Sequence, residues 1–320
     1  AMITRSAFRP AWWLPGPHLQ TLYPSLCRKR KAPALTRERF ELADGDFIDI
    51  DWARQADGMK VLVLHGLEGS LESHYTGGLL CALEQAGYSA GLMYFRGCSG
   101  EPNRLPRSYH SGETGDLEEV MQRLAQRHGN SKIAVVGYSL GGNVLLKWLG
   151  EKGNRAGITT AIAICVPLDL QLAALKLGSG LSRIYQRYLL KKLRRSVTDK
   201  AALHAPPFPL DSLHELNTFH KFDNEITAPL HGFRDVHEYY AKSSSKQFLK
   251  MIEIPTLLLQ AVDDPFLPAS ALPGEEELSP SITLELSGHG GHVGFVTGSN
   301  PLRPRYWLEE RILQHLHMYR

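Results

Sequence analysis

The sequence predicts an α/β fold, with a mostly parallel central sheet flanked by helices and a helical cap insertion. Three observations carry this. Short continuous apolar runs alternate with amphipathic stretches, as strands buried on both faces alternate with the helices that cover them. A hairpin pattern precedes these runs. The interval from about 167 to 250 holds no clear buried strand and reads as helical and polar, broken by "APPFPLDS". We therefore expect one domain over 1–320 with the cap at about 167–250, placed over the carboxyl edge of the sheet.

Taken in order, "ERFELADGDFIDIDW" alternates on both sides of Asp44-Gly45, which predicts an antiparallel hairpin. Phe40 and Leu42 share one face of its first arm, and Ile48, Ile50 and Trp52 one face of the second. "KVLVLHG" and "SAGLMYFRG" read as strands, with a helix over "GGLLCALEQAG" stopped at Gly87 between them. "DLEEVMQRLAQR" places Leu117, Val120, Met121 and Leu124 on one helical face, and Asp116 with Glu119 reads as a capping-box-like start. "KIAVVGYSLGGNVLLKWLG" is strand, tight turn and helix. "ITTAIAICV", "IPTLLLQAV" and "ITLELSG" are further strands, and "RYWLEERILQHLHMY" is a closing amphipathic helix.

Composition excludes several classes. With 22% charged residues and a formal net charge of +3, nothing calls for a nucleic-acid partner. No run of apolar residues is long enough for a transmembrane segment or a signal peptide, so a cytoplasmic location is the default expectation. Cys27, Cys81, Cys98 and Cys165 lack CxxC spacing and read as free or buried thiols in a reducing compartment. "RKRK" at 28–31 reads as a solvated loop.

The chemistry centres on "GYSLG", residues 137–141, where a strand turns into a helix. Small flanking residues permit the strained turn that lifts Ser139 above the sheet. A serine hydroxyl needs a base, and the base needs an acid to orient it. On this kind of sheet the acid and then the base follow the serine in the chain. The acid candidates are Asp263 and Asp264 in "LLLQAVDDPFLP". The extended bias of a residue before proline favours Asp264. The base candidates are His289 and His292 in "SGHGGHVGF". Four glycines argue against a helix there, and no local carboxylate or cysteine completes a ligand set, so no metal is expected. The oxyanion donors are the N–H of Leu140 and, in "LHGLEGS", the N–H of Leu67. His65 precedes Ser139 in the chain and reads as structural. A serine at this turn excludes an aspartate nucleophile, and no cofactor is implied.

These motifs together resemble the α/β-hydrolase superfamily, and more narrowly its YheT-like esterase branch. The resemblance rests on "LPGPHLQTLYPSL", "LHGLEGS", "FRGCSGEPN", "RSYHSGETGDL", "GYSLGGN", "DDPFLP" and "HGGHVGF", spread over most of the chain. It implies Ser139 as nucleophile, Asp264 as acid and His292 as base, since the family's base follows the paired glycines. It also implies a carboxylic ester hydrolase acting on a small-molecule ester or lipid. An acyltransferase or thioesterase using the same triad, or a non-catalytic binding member of the fold, are the alternatives. Two further segments bear on substrate. "LSRIYQRYLLKKLRR" is expected to turn Leu181, Ile184, Tyr185, Tyr188 and Leu189 to an apolar side and to expose Arg187, Lys191, Arg194 and Arg195. It reads either as an ordinary cap helix or as a peripheral membrane contact. Trp12 and Trp13 either line an acyl pocket or anchor the N-terminal segment.

Overall fold

The apolar runs become the strands of one nine-stranded sheet. The structure, a computed structural model, describes residues 2–53 and 57–320. The first half of the chain supplies β1 (Ile3–Arg5), α1 (Pro17–Cys27), β2 (Thr36–Glu41), β3 (Phe47–Trp52), β4 (Lys60–Leu64), α2 (Thr76–Gln85), β5 (Ser89–Met93) and α3 (Gly115–His128). The rest of the chain supplies β6 (Ile133–Tyr138), α4 (Leu140–Lys152), β7 (Thr160–Ile164), α5 (Leu170–Leu177), α6 (Arg183–Lys200), α7 (Val236–Ser243), β8 (Thr256–Ala261), β9 (Ile282–Ser287) and α8 (Trp307–His317). Strand order is β1-β9-β8-β7-β6-β4-β5-β3-β2. Pairing is parallel from β1 to β5 and antiparallel at β5–β3 and β3–β2.

Every residue of β4, β5, β6, β7 and β8 is buried, because helices cover both sheet faces. Leu62 and Leu64 of β4 pack with Leu117, Val120 and Leu124 of α3 and with Val144 and Trp148 of α4. Val61 and Val63 point the other way, against Leu79 and Leu83 of α2 and Leu308 and Ile312 of α8. Between β7 and β8 the chain runs through α5, α6, α7 and several short helical turns. The helices α5 and α6 and the short turns pack around Leu177, Tyr185, Leu190, Leu213 and Phe219, and α7 packs on α5 through Val236, Tyr239, Tyr240 and Leu170. Among the described residues, no helix is long and apolar enough to cross a membrane.

The hairpin forms as expected, with Phe40 opposite Ile48 and Gly45 at φ +91° in its turn. Other local expectations do not hold. The start of α3 carries no capping box: Thr114 is the cap residue and makes no side-chain cap bond. Asp116 is drawn inward instead by the buried Arg96, whose Nε and Nη2 each donate to it at 2.8 Å. Glu119 accepts the Ala43 N–H rather than closing the helix start. Arg96 Nη1 also reaches Asp44 at 2.8 Å and Asp46 at 3.2 Å. Asp46 accepts in addition from Asn103 and from the Arg104 N–H. One guanidinium thus ties the hairpin turn, the loop after β5 and the start of α3.

The "RKRK" segment is not simply solvated. Arg28 pairs with Glu309 and lies over the Tyr306 ring at 3.7 Å, while Arg30 donates to the carbonyls of Pro24, Ser25 and Glu72. The strand β1 and the helix α1 are additions that the apolar pattern does not show. β1 pairs in parallel with β9, Ile3 opposite Leu284.

Removing one partner of a buried ionic cluster leaves uncompensated charge behind. Arg96→Met should therefore lower unfolding free energy by about 3–5 kcal/mol, read from urea denaturation against the parent chain.

Candidate active site

Ser139 stands between β6 and α4 at φ +51° and ψ −117°, a conformation that costs a non-glycine residue about 1–3 kcal/mol. Its N–H is held by the Ile164 carbonyl at 2.8 Å. Two glycines make the turn possible. A Cβ at Gly141 would lie 2.5 Å from the His65 carbonyl oxygen, and one at Gly137 2.7 Å from that of Gly141. The backbone can cross β4 this closely only without side chains. Leu140 is the first residue of α4, so its N–H has no intrahelical acceptor.

The loop after β4 lies alongside. His65 is fully buried; its Nδ1–H donates to the Gly66 carbonyl at 2.6 Å, and its Nε2 accepts the Phe95 N–H at 3.1 Å. It therefore joins the ends of β4 and β5 and shapes the turn that presents Leu67. Burial pushes its pKa down to about 4. Glu68, next in the chain, has φ +51°. Its N–H donates to Tyr109 Oη at 2.7 Å, and its carboxylate accepts from that same hydroxyl and from Ser196 Oγ of α6. Burial raises the Glu68 pKa, against these hydrogen bonds. Among the described residues, the Leu67 N–H donates to no protein acceptor.

The loops after β8 and β9 bring Asp264 and His292 together. His292 Nδ1 lies 3.0 Å from Asp264 Oδ2 and 3.1 Å from Oδ1, and both residues are buried. The imidazole stacks on Phe266, ring centroids 3.7 Å apart and nearly coplanar at 3°. Asp264 Oδ1 also accepts the Phe266 N–H. Asp263 does something different: its Oδ1 accepts the Gly291 N–H at 2.9 Å and so braces the glycine loop. His289 points outward with 65% of its side chain exposed, 3.9 Å from Asp263. Cys165, after β7, accepts the Val293 N–H and lies within 4.8 Å of the ligand atoms of Asp264 and His292. Burial drives its thiol well above the usual range, so it offers S–H rather than thiolate.

Sequence reasoning missed the support from α1. Thr21 Oγ1 accepts the His292 N–H at 2.9 Å and donates to Pro17 at 2.7 Å. A Cβ at Gly291 would meet both Thr21 Oγ1 and the Pro17 carbonyl at 2.5 Å. The signal was the "LPGPHLQTL" segment, which carried no role on its own. Trp12 and Trp13 do not line the cavity; their indole N–H groups donate to the Ser299 and Gly298 carbonyls, which anchors the N-terminal segment.

Ser139, Leu67 and Leu140 line a cavity of about 170 Å³ whose opposite wall comes from the chain between β7 and β8, notably Leu177, Leu193, Phe219 and Phe222. Phe266 lines it too and links the His292 ring to the space above Ser139. Among the described residues, Ser139 Oγ makes no hydrogen bond to His292.

A family model described as the alpha/beta hydrolase fold matches residues 60–299. The chain belongs to the α/β-hydrolase family. This α/β-hydrolase is YheT-like: it is 41% identical over 308 residues to "Putative esterase YheT" of Escherichia coli (strain K12), covering 94% of this chain and 90% of that one. It is 28% identical to phospholipase ABHD3 of Mus musculus, over 95% of this chain and 77% of the relative. It is 30% identical to the monoacylglycerol lipase of Saccharomyces cerevisiae, over 81% and 59% respectively. Among solved structures, the Pyrococcus furiosus esterase Pf2001 matches with a TM-score of 0.58 at 15% identity, covering 89% of this chain and 93% of that one; this likeness is one of fold. Family and relatives make this α/β-hydrolase a hydrolase of the esterase type.

The buried His65 predicts an acid weakness. Its pKa is near 4 folded and near 6.5 unfolded. Between those values the unfolded chain binds a proton that the folded chain does not, so this residue's contribution to stability is lost as pH falls through that window. Unfolding midpoints measured from pH 7 to pH 4 should fall with a slope that is shallower in His65→Gln.

Proposed function

We propose that this α/β-hydrolase is a serine hydrolase of carboxylic esters working through an acyl-enzyme. The observation that carries the reading is the buried Asp264–His292 pair at the sheet edge where the strained Ser139 turn opens into an apolar cavity. With Nδ1 committed to Asp264, the His292 nitrogen left for proton transfer is Nε2.

In this mechanism Ser139 Oγ attacks the ester carbonyl carbon as its proton passes to His292 Nε2. Asp264 keeps the ring oriented and stabilises the imidazolium. The carbonyl π pair moves onto oxygen, where the N–H groups of Leu67 and Leu140 receive it, each worth about 3–4 kcal/mol in the transition state. Collapse breaks the C–O bond, and His292 returns the proton to the leaving alcohol. Water then repeats the sequence, giving acid and free Ser139. The base is His292 rather than His289, which faces solvent, and the acid is Asp264 rather than Asp263, which holds the loop backbone. The aliphatic and aromatic wall suits an apolar acyl chain. The lipid esters in the names of the phospholipase and monoacylglycerol lipase relatives are of this kind.

A fluorophosphonate probe should label the folded chain at Ser139 and fail on Ser139→Ala; absence of labelling on folded protein overturns the enzyme reading. In a p-nitrophenyl ester series, His292→Ala should lose about three orders of magnitude in kcat, and His289→Ala only a few-fold. Equal losses would reverse the choice of base. Asp264→Asn against Asp263→Asn tests the acid in the same way. Rates should rise with acyl length until the cavity is filled.

A further inference from the structure

The helix α6 does not have the single apolar side that its sequence suggests. At about 3.6 residues per turn, its apolar residues divide between two opposite faces. Tyr185 and Leu190 are buried, and Leu189, Leu193 and Val197 line the catalytic cavity with Ser196 and Lys200. On the other face, Ile184 and Tyr188 are 55% and 59% exposed, and Leu181, just ahead of the helix, is 65% exposed. Solitary exposed apolar side chains are ordinary on any protein surface. Two on one stripe of α6, extended by Leu181 in the turn before it, make a patch.

The charges on this outer face have one sign. Arg187, Lys191, Lys192 and Arg195 fall on the stripe or beside it and are exposed. Among the described residues none of the four takes part in an ion pair; Lys192 instead lies 4.8 Å from the Tyr188 ring centre. Residues 181–200 hold a single acid, Asp199, against seven basic residues. Arg194, expected to be exposed, is half-buried and donates to the Leu216 carbonyl, so it is not part of this face.

From this arrangement we infer that the outer face of α6, built on Leu181, Ile184 and Tyr188 and flanked by Arg187, Lys191, Lys192 and Arg195, docks on an anionic lipid surface. An apolar stripe between cations is the chemistry of a helix lying in a bilayer interface: the side chains enter the acyl boundary while the cations meet lipid phosphates. An acidic protein would meet the cations but would need its own apolar groove for the stripe. The inner face of the same helix walls the cavity. Docking therefore places the helix that walls the cavity against the lipid phase. The docking itself does not depend on the proposed esterase chemistry.

The experiment is co-sedimentation of the full chain with vesicles of phosphatidylcholine alone and of phosphatidylcholine with phosphatidylglycerol. We expect binding to the anionic vesicles that weakens as salt is raised, and little binding to the neutral ones. The triple variant Leu181→Ser, Ile184→Ser, Tyr188→Ser should bind roughly tenfold more weakly or worse. Arg187→Glu with Lys191→Glu and Arg195→Glu should reduce binding to the level of neutral vesicles. Thermal midpoints and labelling of Ser139 should stay at the parent values, since these residues lie outside the core and the site. Equal binding to both vesicle types, binding unchanged in the variants, or a self-association that the triple variant abolishes without vesicle binding in the parent, each overturns the proposal. Loss of esterase activity with vesicle binding retained would count against the proposed function alone.

Discussion

The site depends on one backbone constraint, the crossing of the Ser139 turn over the end of β4. The chain enters from a strand buried on both faces and leaves as a helix, with Ser139 at positive φ between them. The crossing is tight enough that the backbone of Gly141 nearly touches the carbonyls of Leu64 and His65. That closeness also holds the loop after β4 near the serine: a Cβ on Gly66 would sit 3.4 Å from the Ser139 Cβ. Two loops distant in sequence are thereby fixed relative to each other by rigid elements, as a preorganised site requires.

The support for this arrangement is polar and buried. His65 spans two strands, the carboxylate of Glu68 reaches both Tyr109 and α6 through Ser196, and Thr21 holds the His292 backbone from a helix near the start of the chain. Glu68 is also a positive-φ residue. Its side-chain hydrogen bonds offset the cost of that conformation. They make α6 and the turn presenting Leu67 parts of one network beside Ser139.

Much of the fold was readable because the strands are buried on both faces and appear as unbroken apolar runs, as in "KVLVL" and "TLLLQA". The three-residue β1 carries no such pattern; it is a strand only because β9 offers a free edge. The prolines in "LPGPHLQTLYPSL" concealed α1, where Pro17 occupies the first turn and Pro24 lies inside the helix. Asp116 looked like a cap because local spacing says nothing of an arginine twenty residues earlier. Apart from the family resemblance, adjacent Asp263 and Asp264 could be weighed only by the bias of a residue before proline. Three dimensions separate them, one turned to the loop backbone and the other to the imidazole. For α6, the apolar residues were visible but not their partition, because the buried cluster and the cavity that its inner face meets are built from residues distant in the sequence.

The parallel edge formed by β1 has a meaning for how the molecule stays apart from its neighbours. β9 lies between β8 and these three residues, and the loop leaving it carries His292. Were Ile3 to Arg5 trimmed or pulled away by a fused tag, β9 would become an open rim of unpaired amides and carbonyls next to that loop. Such a rim is a template on which another chain can add a strand. Ile3 to Arg5 thus keep the rim of β9 paired and set the open edge of the sheet one strand further from the loop that carries His292.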